Sequence, residues 1–294
     1  MTELDQLLRR AAAALAEAQV PSPQADAELL VGHVLGISRG EVQAAVIAQR
    51  QIQHDAAERL TALVAERARR IPLQHLTGRA PFRSLELRVG PGVFIPRPET
   101  ETIVELVLQR LGKLASGGTA QPRVVDLGTG SGAIAASLAA EFPQAEVHAV
   151  EVSAAAAAWA EQNFESLPAG AAGITLHRCD LRDFTEAGFD VVVSNPPYIP
   201  PGMVPAEAEV REHDPEIALY GGGADGLQLP RAVIETAKRI LKPGGWFILE
   251  HAEVQAEALS ELCAADPELE AVSTHQDLTG RDRATSAVVK EYSA

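Results

Sequence analysis

Val124-Val125-Asp126-Leu127-Gly128-Thr129-Gly130-Ser131-Gly132 is the stretch whose reading decides the fold. The first four residues predict a short buried strand, the alternating glycines a tight turn, and Ala133 to Phe142 a helix. The alternation then repeats downstream. Val147 to Val150 predicts a second strand ending in Glu151, and Ser153 to Phe164 an Ala-rich helix. Ile174 to His177 predicts a third strand, followed by Cys179-Asp180, and Phe189 to Ser194 a fourth. A helix from Gln228 to Leu241 is stopped by Lys242-Pro243-Gly244-Gly245. Trp246 to Glu250, Leu269 to Thr274 and Ser286 to Lys290 read as further strands, with a helix from Val254 to Cys263 between them. Such alternation implies an α/β fold with a mostly parallel, doubly wound sheet. Ligands of such sheets lie beyond the strands' carboxyl ends. Asp126, Gly128, Glu151, Asp180 and Asn195 all fall at predicted strand ends, so they are expected to converge on one crevice.

Upstream the pattern is different. Residues 1–70 read as helices only. Thr2 is a candidate cap for a helix carrying Leu4, Leu7, Leu8, Ala11 and Leu15 at helical spacing. Ser22-Pro23 is a second start signal and Gly36 a stop. Ser38 opens a third helix, and a fourth runs from about Asp55 to Arg69-Arg70. Four short helices make a small bundle without a catalytic cluster. It is read as a docking module for a macromolecular substrate over residues 1–72, with a packing domain as the plainer alternative. Alternating Leu85, Leu87 and Val89, bounded by Gly78 and Gly90-Pro91-Gly92, predict a connector hairpin over 73–92. The catalytic domain is then 93–294. It opens on Phe94-Ile95-Pro96-Arg97-Pro98-Glu99-Thr100-Glu101, where two prolines stiffen the backbone around Arg97 and lead into a helix.

The 294 residues have a net charge of −15, unevenly placed. The first 78 carry 8 Lys and Arg against 9 Asp and Glu; the remainder carries 17 against 31. An acidic catalytic part argues against direct nucleic-acid binding, which needs many Lys and Arg contacts to phosphate. Two cysteines, Cys179 and Cys263, are too few for a disulfide framework and show no metal-ligand spacing. No metal is expected. No apolar run reaches about 18 residues, so no membrane span is expected. The N-terminus is acidic rather than signal-like. A cytoplasmic monomer is the simplest expectation.

The crevice residues define the ligand. G-T-G-S-G is not the dinucleotide pattern, and no Lys follows it as in a P-loop. Glu151, about 20 residues past the turn, is placed to accept hydrogen bonds from ribose hydroxyls, and Asp180 from an adenine amino group. Together these point to an adenosyl ligand without a pyrophosphate, S-adenosylmethionine, with NAD as the runner-up. Ser194-Asn195-Pro196-Pro197-Tyr198 closes the fourth strand. Two prolines cannot stay in a ladder, so a rigid turn remains. It presents an Asn amide, unoccupied carbonyls and an aromatic ring, a set that suits a planar NH2 group. The plainer reading is a proline-stiffened loop whose Tyr covers the core.

Asp126 to Gly132, Glu151 and Asn195-Pro196-Pro197-Tyr198 resemble the class I S-adenosylmethionine-dependent methyltransferases that modify exocyclic or amide nitrogens. Phe94 to Glu101, the helical N-terminal region and Glu250-His251 narrow the resemblance to the peptide chain release factor glutamine N5-methyltransferases, the PrmC/HemK family. It covers nearly the whole chain. It implies a Rossmann-like domain with a seven-stranded sheet. It implies cofactor contacts from Gly128, Thr129, Gly130, Ser131, Gly132, Glu151, Asp180, Leu181 and Asn195. It implies that Asn195, Pro196, Pro197 and Tyr198, with Arg97 nearby, hold the glutamine of a Gly-Gly-Gln loop in a release factor. Leu181 stands where some members have an aromatic residue, and Ala252 where a Gly is common.

The expected chemistry needs no dedicated base. Asn195 and the Pro196 carbonyl accept the two amide hydrogens while Tyr198 stacks on the amide plane; His251 is read as structural. Rival readings are glutamine methylation of a ribosomal protein, adenine-N6 methylation of nucleic acid, and a non-catalytic S-adenosylmethionine-binding protein.

Overall fold

The computed structural model describes residues 2–291. Thr2–Glu3 (β1) leads directly into Leu4–Glu17 (α1), whose Leu4, Leu7, Leu8, Ala11 and Leu15 form one buried stripe. The cap position of α1 is Glu3, and the Thr2 backbone lies in β1, opposite Ile52 of a later antiparallel strand; the Thr2 side chain, the candidate cap, lies outside what the structure describes. Pro23–Leu35 (α2) has proline in its first turn and ends at Gly36 in the left-handed region, but Ser22 makes no capping bond. Arg39–Ile47 (α3) begins on a capping box, in which Ser38 Oγ accepts from the Glu41 amide and Glu41 accepts from the Ser38 amide. Gln51–Ile52 (β2), His54–Ala68 (α4) and Leu73–Thr77 (α5) follow. Leu4, Leu15, Leu30, Val42 and Leu60 are the centre of their common core.

This helical unit runs to Arg79 and also takes in residues 205–213 from much later in the chain. The later segment is held by charge. Arg67, buried, donates from Nε to Asp26 (2.8 Å), from Nη2 to Glu209 (2.8 Å) and from Nη1 to the Ile71 carbonyl (3.1 Å). Arg70 donates to both oxygens of Glu209. Burial alone would raise the Glu209 pKa, but the hydrogen bonds from Arg70 and Arg67 outweigh it and bring it down to about 2.

The second unit comprises residues 80–204 and those from 214 onward. It opens on a hairpin of Arg79–Phe82 (β3) and Leu85–Arg88 (β4), with Phe82 and Leu87 turned into the core. A single 3-10 turn, Pro98–Thr100, starts Glu101–Ser116 (α6). The βα alternation follows as Arg123–Leu127 (β5), Ala133–Glu141 (α7), Glu146–Val150 (β6), Ala154–Glu165 (α8), Ile174–His177 (β7) and Phe189–Ser194 (β8). The helix of residues 205–213 is Ala208–His213 (α9). Gln228–Ile240 (α10), Leu241–Glu250 (β9), Ala256–Ala265 (α11), Leu269–Gln276 (β10) and Asp282–Val289 (β11) complete the chain. β9 starts five residues before Trp246, because Leu241 already pairs with Phe189 and the register shifts before Val191 meets Trp246.

The seven strands are ordered β7-β6-β5-β8-β9-β11-β10. The first five run parallel, and β11 lies antiparallel to both its neighbours. Successive residues of β5 face opposite cores. Val124 packs with α6 and α7, while Val125 and Leu127 pack with α10 and α11. Burial on both faces is why these strands read as unbroken apolar runs. The chain goes one way from β5 to β6 and the other way from β5 to β8. The crevice lies at that switch point, beyond Leu127, Val150 and Ser194.

Candidate active site

The glycine turn is built by backbone conformation. Gly128, Gly130 and Gly132 have φ of 78°, 59° and 84°, which a side chain disfavours. Gly132 is further constrained, since a Cβ there would meet the Phe164 ring at 2.4 Å. At Gly128 and Gly130 an added Cβ would meet nothing within 4 Å, so the outer face of the turn is bare backbone. The Gly128 and Thr129 amides donate to the Val150 carbonyl, and the Gly130 amide donates to Glu151 Oε2 (2.8 Å). Glu151 Oε1 accepts from the Ser153 amide (2.8 Å), which fixes the carboxylate with a lone pair on each oxygen to spare. Ser131 is buried and its carbonyl accepts from Asn163 (2.8 Å). Asp126 is fully buried beneath the turn. One oxygen accepts from Thr129 Oγ1 and the Ala135 amide; Oδ1 has no partner among the described residues. Burial, with Glu151 adding repulsion, pushes its pKa up to about 7. A turn with no side chain on its outer face, a fixed carboxylate and an orphaned buried oxygen suit a cationic ligand with ribose hydroxyls. They fit S-adenosylmethionine.

Asn195-Pro196-Pro197-Tyr198 lies beside this turn because Ser194 Oγ donates to the Leu127 carbonyl (2.6 Å), tying the end of β8 to the end of β5. The turn is pinned from behind. Gln255 Nε2 donates to the Tyr198 carbonyl (2.8 Å), and the Ile199 amide to Leu219. Gly226 runs so close that a Cβ there would sit 2.3 Å from the Tyr198 carbonyl oxygen. Among the described residues no donor reaches the Pro196 carbonyl. Asn195 Nδ2 donates to Thr100 Oγ1 (3.1 Å), and Thr100 donates onward to Glu250 Oε2 (2.7 Å). Tyr198 OH approaches Glu250 Oε1 at 3.4 Å. Glu250 is buried, and burial raises its pKa to about 7. Burial and the Glu250 charge also hold the Tyr198 phenol above its ordinary value.

The other residues read from sequence are placed as follows. Arg97 is bracketed by an ion pair to Asp214 (2.8 Å) and by the Phe94 ring, 5.0 Å below its guanidinium. Asp180 caps the turn Leu181–Asp183 and accepts three hydrogen bonds from Arg182, which lower its pKa. Leu181 packs against the α10 and α11 core. His251 is fully buried, with Nδ1 on the Ala252 carbonyl and Nε2 on Thr285, both at 2.9 Å. Thr100 and Glu250 were not among the predicted site residues, and Asp126 was expected in the crevice without an assigned contact. Thr100 reads as helix entry and Glu250 as a strand end.

One further cluster has metal-ligand chemistry. His148 Nδ1 and His177 Nε2 are 2.9 Å apart, with Glu186 Oε2 at 3.7 Å from each. Their ring planes lie within 9° and their centroids 5.2 Å apart. That combination sets the rings edge to edge, so the two nitrogens face each other along one N–H···N bond instead of converging on a cation.

The fold and this crevice define a class I S-adenosylmethionine-dependent methyltransferase. The family described as PrmC N-terminal domain matches residues 6–78, and that described as Methyltransferase domain matches residues 119–290. The release factor glutamine methyltransferase of Streptomyces coelicolor is 43% identical over 282 residues, covering 93% of both chains. That of Bifidobacterium longum is 41% identical over 292 residues, covering 96% of this chain and 98% of its own. The hMettl16 catalytic domain shares the fold, with a TM-score of 0.53 at 17% identity over 79% of this chain and 82% of its own. The chain belongs to the release factor glutamine methyltransferase family. Among the described residues no helix is long and apolar enough to cross a membrane.

Proposed function

We propose that this protein transfers a methyl group from S-adenosylmethionine to the side-chain amide nitrogen (N5) of the glutamine in the Gly-Gly-Gln motif of peptide chain release factors. The observation that carries the reading is the Ser194–Leu127 hydrogen bond, which sets a turn suited to a planar amide directly beside a turn suited to an adenosyl ligand. When bound, S-adenosylmethionine supplies an electrophilic sulfonium methyl. Gly128 to Gly132, Glu151 and the apolar flank of Leu181 hold it, with Asp126 Oδ1 the acceptor for its ammonium group. Asp180, already engaged by Arg182, keeps a spare lone pair for the adenine amino group.

A carboxamide nitrogen is a weak nucleophile because its lone pair is shared with the carbonyl. Orientation is therefore the main task of the site. Asn195 Oδ1 and the Pro196 carbonyl accept the two amide hydrogens, Tyr198 covers the amide plane, and Pro197 and Arg97 stiffen the walls. Alignment of two bound reactants supplies up to about 7–11 kcal/mol of a barrier. Acceptors aimed at N–H also favour the positive charge that grows on nitrogen in the transition state. The proton leaves afterwards, and His251, with both nitrogens partnered, has no part in its removal.

The test is Asn195→Ala with labelled S-adenosylmethionine and purified release factor, cofactor binding being measured in parallel. The expected result is methylation reduced at least a hundredfold with cofactor affinity kept within a few fold. Methylation near the wild-type rate overturns the assignment. Parallel incubations with ribosomal protein and DNA give label on the Gly-Gly-Gln glutamine alone if the substrate is correct.

A further inference from the structure

We propose that Thr100 and Glu250 are positioning residues that dictate which way round the Asn195 amide sits, and so make the site select an NH2 donor. The inference rests on the reading of Asn195 given above. The argument is one of hydrogen-bond polarity. Glu250, when ionised, can only accept. Thr100 Oγ1 therefore spends its single proton on Glu250 Oε2, at 2.7 Å. Its oxygen is left as an acceptor, and the partner it faces is Asn195 Nδ2 at 3.1 Å. With Nδ2 committed, Oδ1 is the end of the side chain left for a ligand. The carboxylate thus sets the direction of a three-member chain, and the far end of that chain is an acceptor. Buried chains of this kind hold one arrangement because the alternative leaves a polar group unpaired.

The components are well shielded. Thr100 and Glu250 are 4% and 3% exposed, so their bonds are shielded from bulk solvent. They come from elements far apart in sequence, the entry to α6 and the end of β9, and meet only in the fold. Three charged or titratable groups from other segments face Glu250: Tyr198 from the substrate turn, Arg283 from β11 and Glu99 from the turn before α6. Protonated Glu250 can donate to Thr100, which can then donate to Asn195 and reverse the amide. With Oδ1 turned inward, the site would present an NH2 group to an NH2 group.

Thr100→Val keeps the shape and removes the hydroxyl, Thr100→Ser keeps the hydroxyl, and Glu250→Gln can donate to Thr100 and so invert the chain. With purified release factor and saturating S-adenosylmethionine, Thr100→Val and Glu250→Gln are expected to lower kcat by about ten- to a hundredfold. The KM and the calorimetric affinity for S-adenosylmethionine should stay within twofold, and Thr100→Ser should restore at least half the wild-type kcat. The wild-type kcat should fall as pH drops below about 7, the value to which burial raises Glu250, and the acid limb should be missing in Glu250→Gln. Wild-type kcat in either Thr100→Val or Glu250→Gln overturns the proposal, as does an equal loss in Thr100→Ser. Asn195→Ala, run alongside, separates the two levels. If it is inactive while Thr100→Val is active, the relay fails and the site reading stands; if it is active, the site reading itself fails.

Discussion

Two regions of this molecule withdraw carboxylates partly or fully from water and treat them in opposite ways. In the helical unit Glu209 is met by two arginines, and its pKa is driven down to about 2. In the catalytic unit Asp126 and Glu250 are buried without a direct cation, and burial brings both up to about 7. A buried charge costs several kcal/mol unless it is paired. The first region removes that cost and is a clasp. The second retains it at the ends of β5 and β9, in the crevice proposed above to take a cationic ligand and an amide. Strongly shifted groups gathered in a cleft mark functional sites; a carboxylate neutralised by its neighbours marks architecture.

The largest effect that would test this contrast is loss of the clasp. Glu209→Ala leaves Arg67 buried with only Asp26 and a carbonyl, and should cost about 3–5 kcal/mol in the urea unfolding of the helical unit at pH 7. A cost below about 1 kcal/mol would place Glu209 among ordinary surface charges. The pH dependence has a definite sign. Glu209 has a depressed folded pKa, so its contribution is complete above about 4.5 and is lost as pH falls toward about 2. Glu209→Gln should flatten that slope.

Asp126 gives a smaller effect of opposite sign. Its folded pKa is raised, so the unfolded chain releases the proton first and stability falls as pH rises from about 4 to about 7. Asp126→Asn should remove that slope and leave the ligand-free protein about 2–3 kcal/mol more stable at pH 8. The same variant should weaken S-adenosylmethionine binding about tenfold or more by calorimetry, since an ionic acceptor is lost. Stability and binding moving in the same direction would break the contrast.

Asp190 supplies the smallest test. It is a buried carboxylate of the catalytic unit, but away from the crevice, and it is satisfied by Lys242 Nζ (2.7 Å) and the Arg123 amide (2.8 Å). Lys242 is 43% exposed and the Arg123 amide still serves Asp190, so Lys242→Ala should cost only about 1–2 kcal/mol and leave methylation unchanged.

The same contrast explains what could be read from the chain before its structure. The sheet was readable because its signals are local: apolar runs of four to six residues, a glycine turn, a proline stop. Glu151 and Asn195 were readable because a strand's last residue points into the crevice of such a sheet. Thr100 carried no such mark, and Glu250, although it ends a predicted strand, was given no role there. A threonine after Pro98-Glu99 looks like helix entry, and its pairing with a glutamate 150 residues away is a property of the packed state. Glu209 was hidden for the same reason, since its partners lie 139 and 142 residues earlier. Asp180 was read at a strand end; β7 stops at His177 and Asp180 caps the turn after it, and the arginine two residues later that occupies it could be weighed only with distances in hand.

The helical unit has one practical consequence for anyone who would exchange it. Because residues 205–213 belong to it, the first 79 residues are not a detachable cassette. A fragment cut there keeps Arg67 and Arg70 and forfeits the glutamate they surround. Grafting these helices onto another enzyme would require a second splice, carrying Glu209 on its own short insert. Changes to these helices are thereby bound to changes in a loop that leaves the catalytic unit shortly after Tyr198 and comes back at Asp214. The two stretches of gene must diversify together.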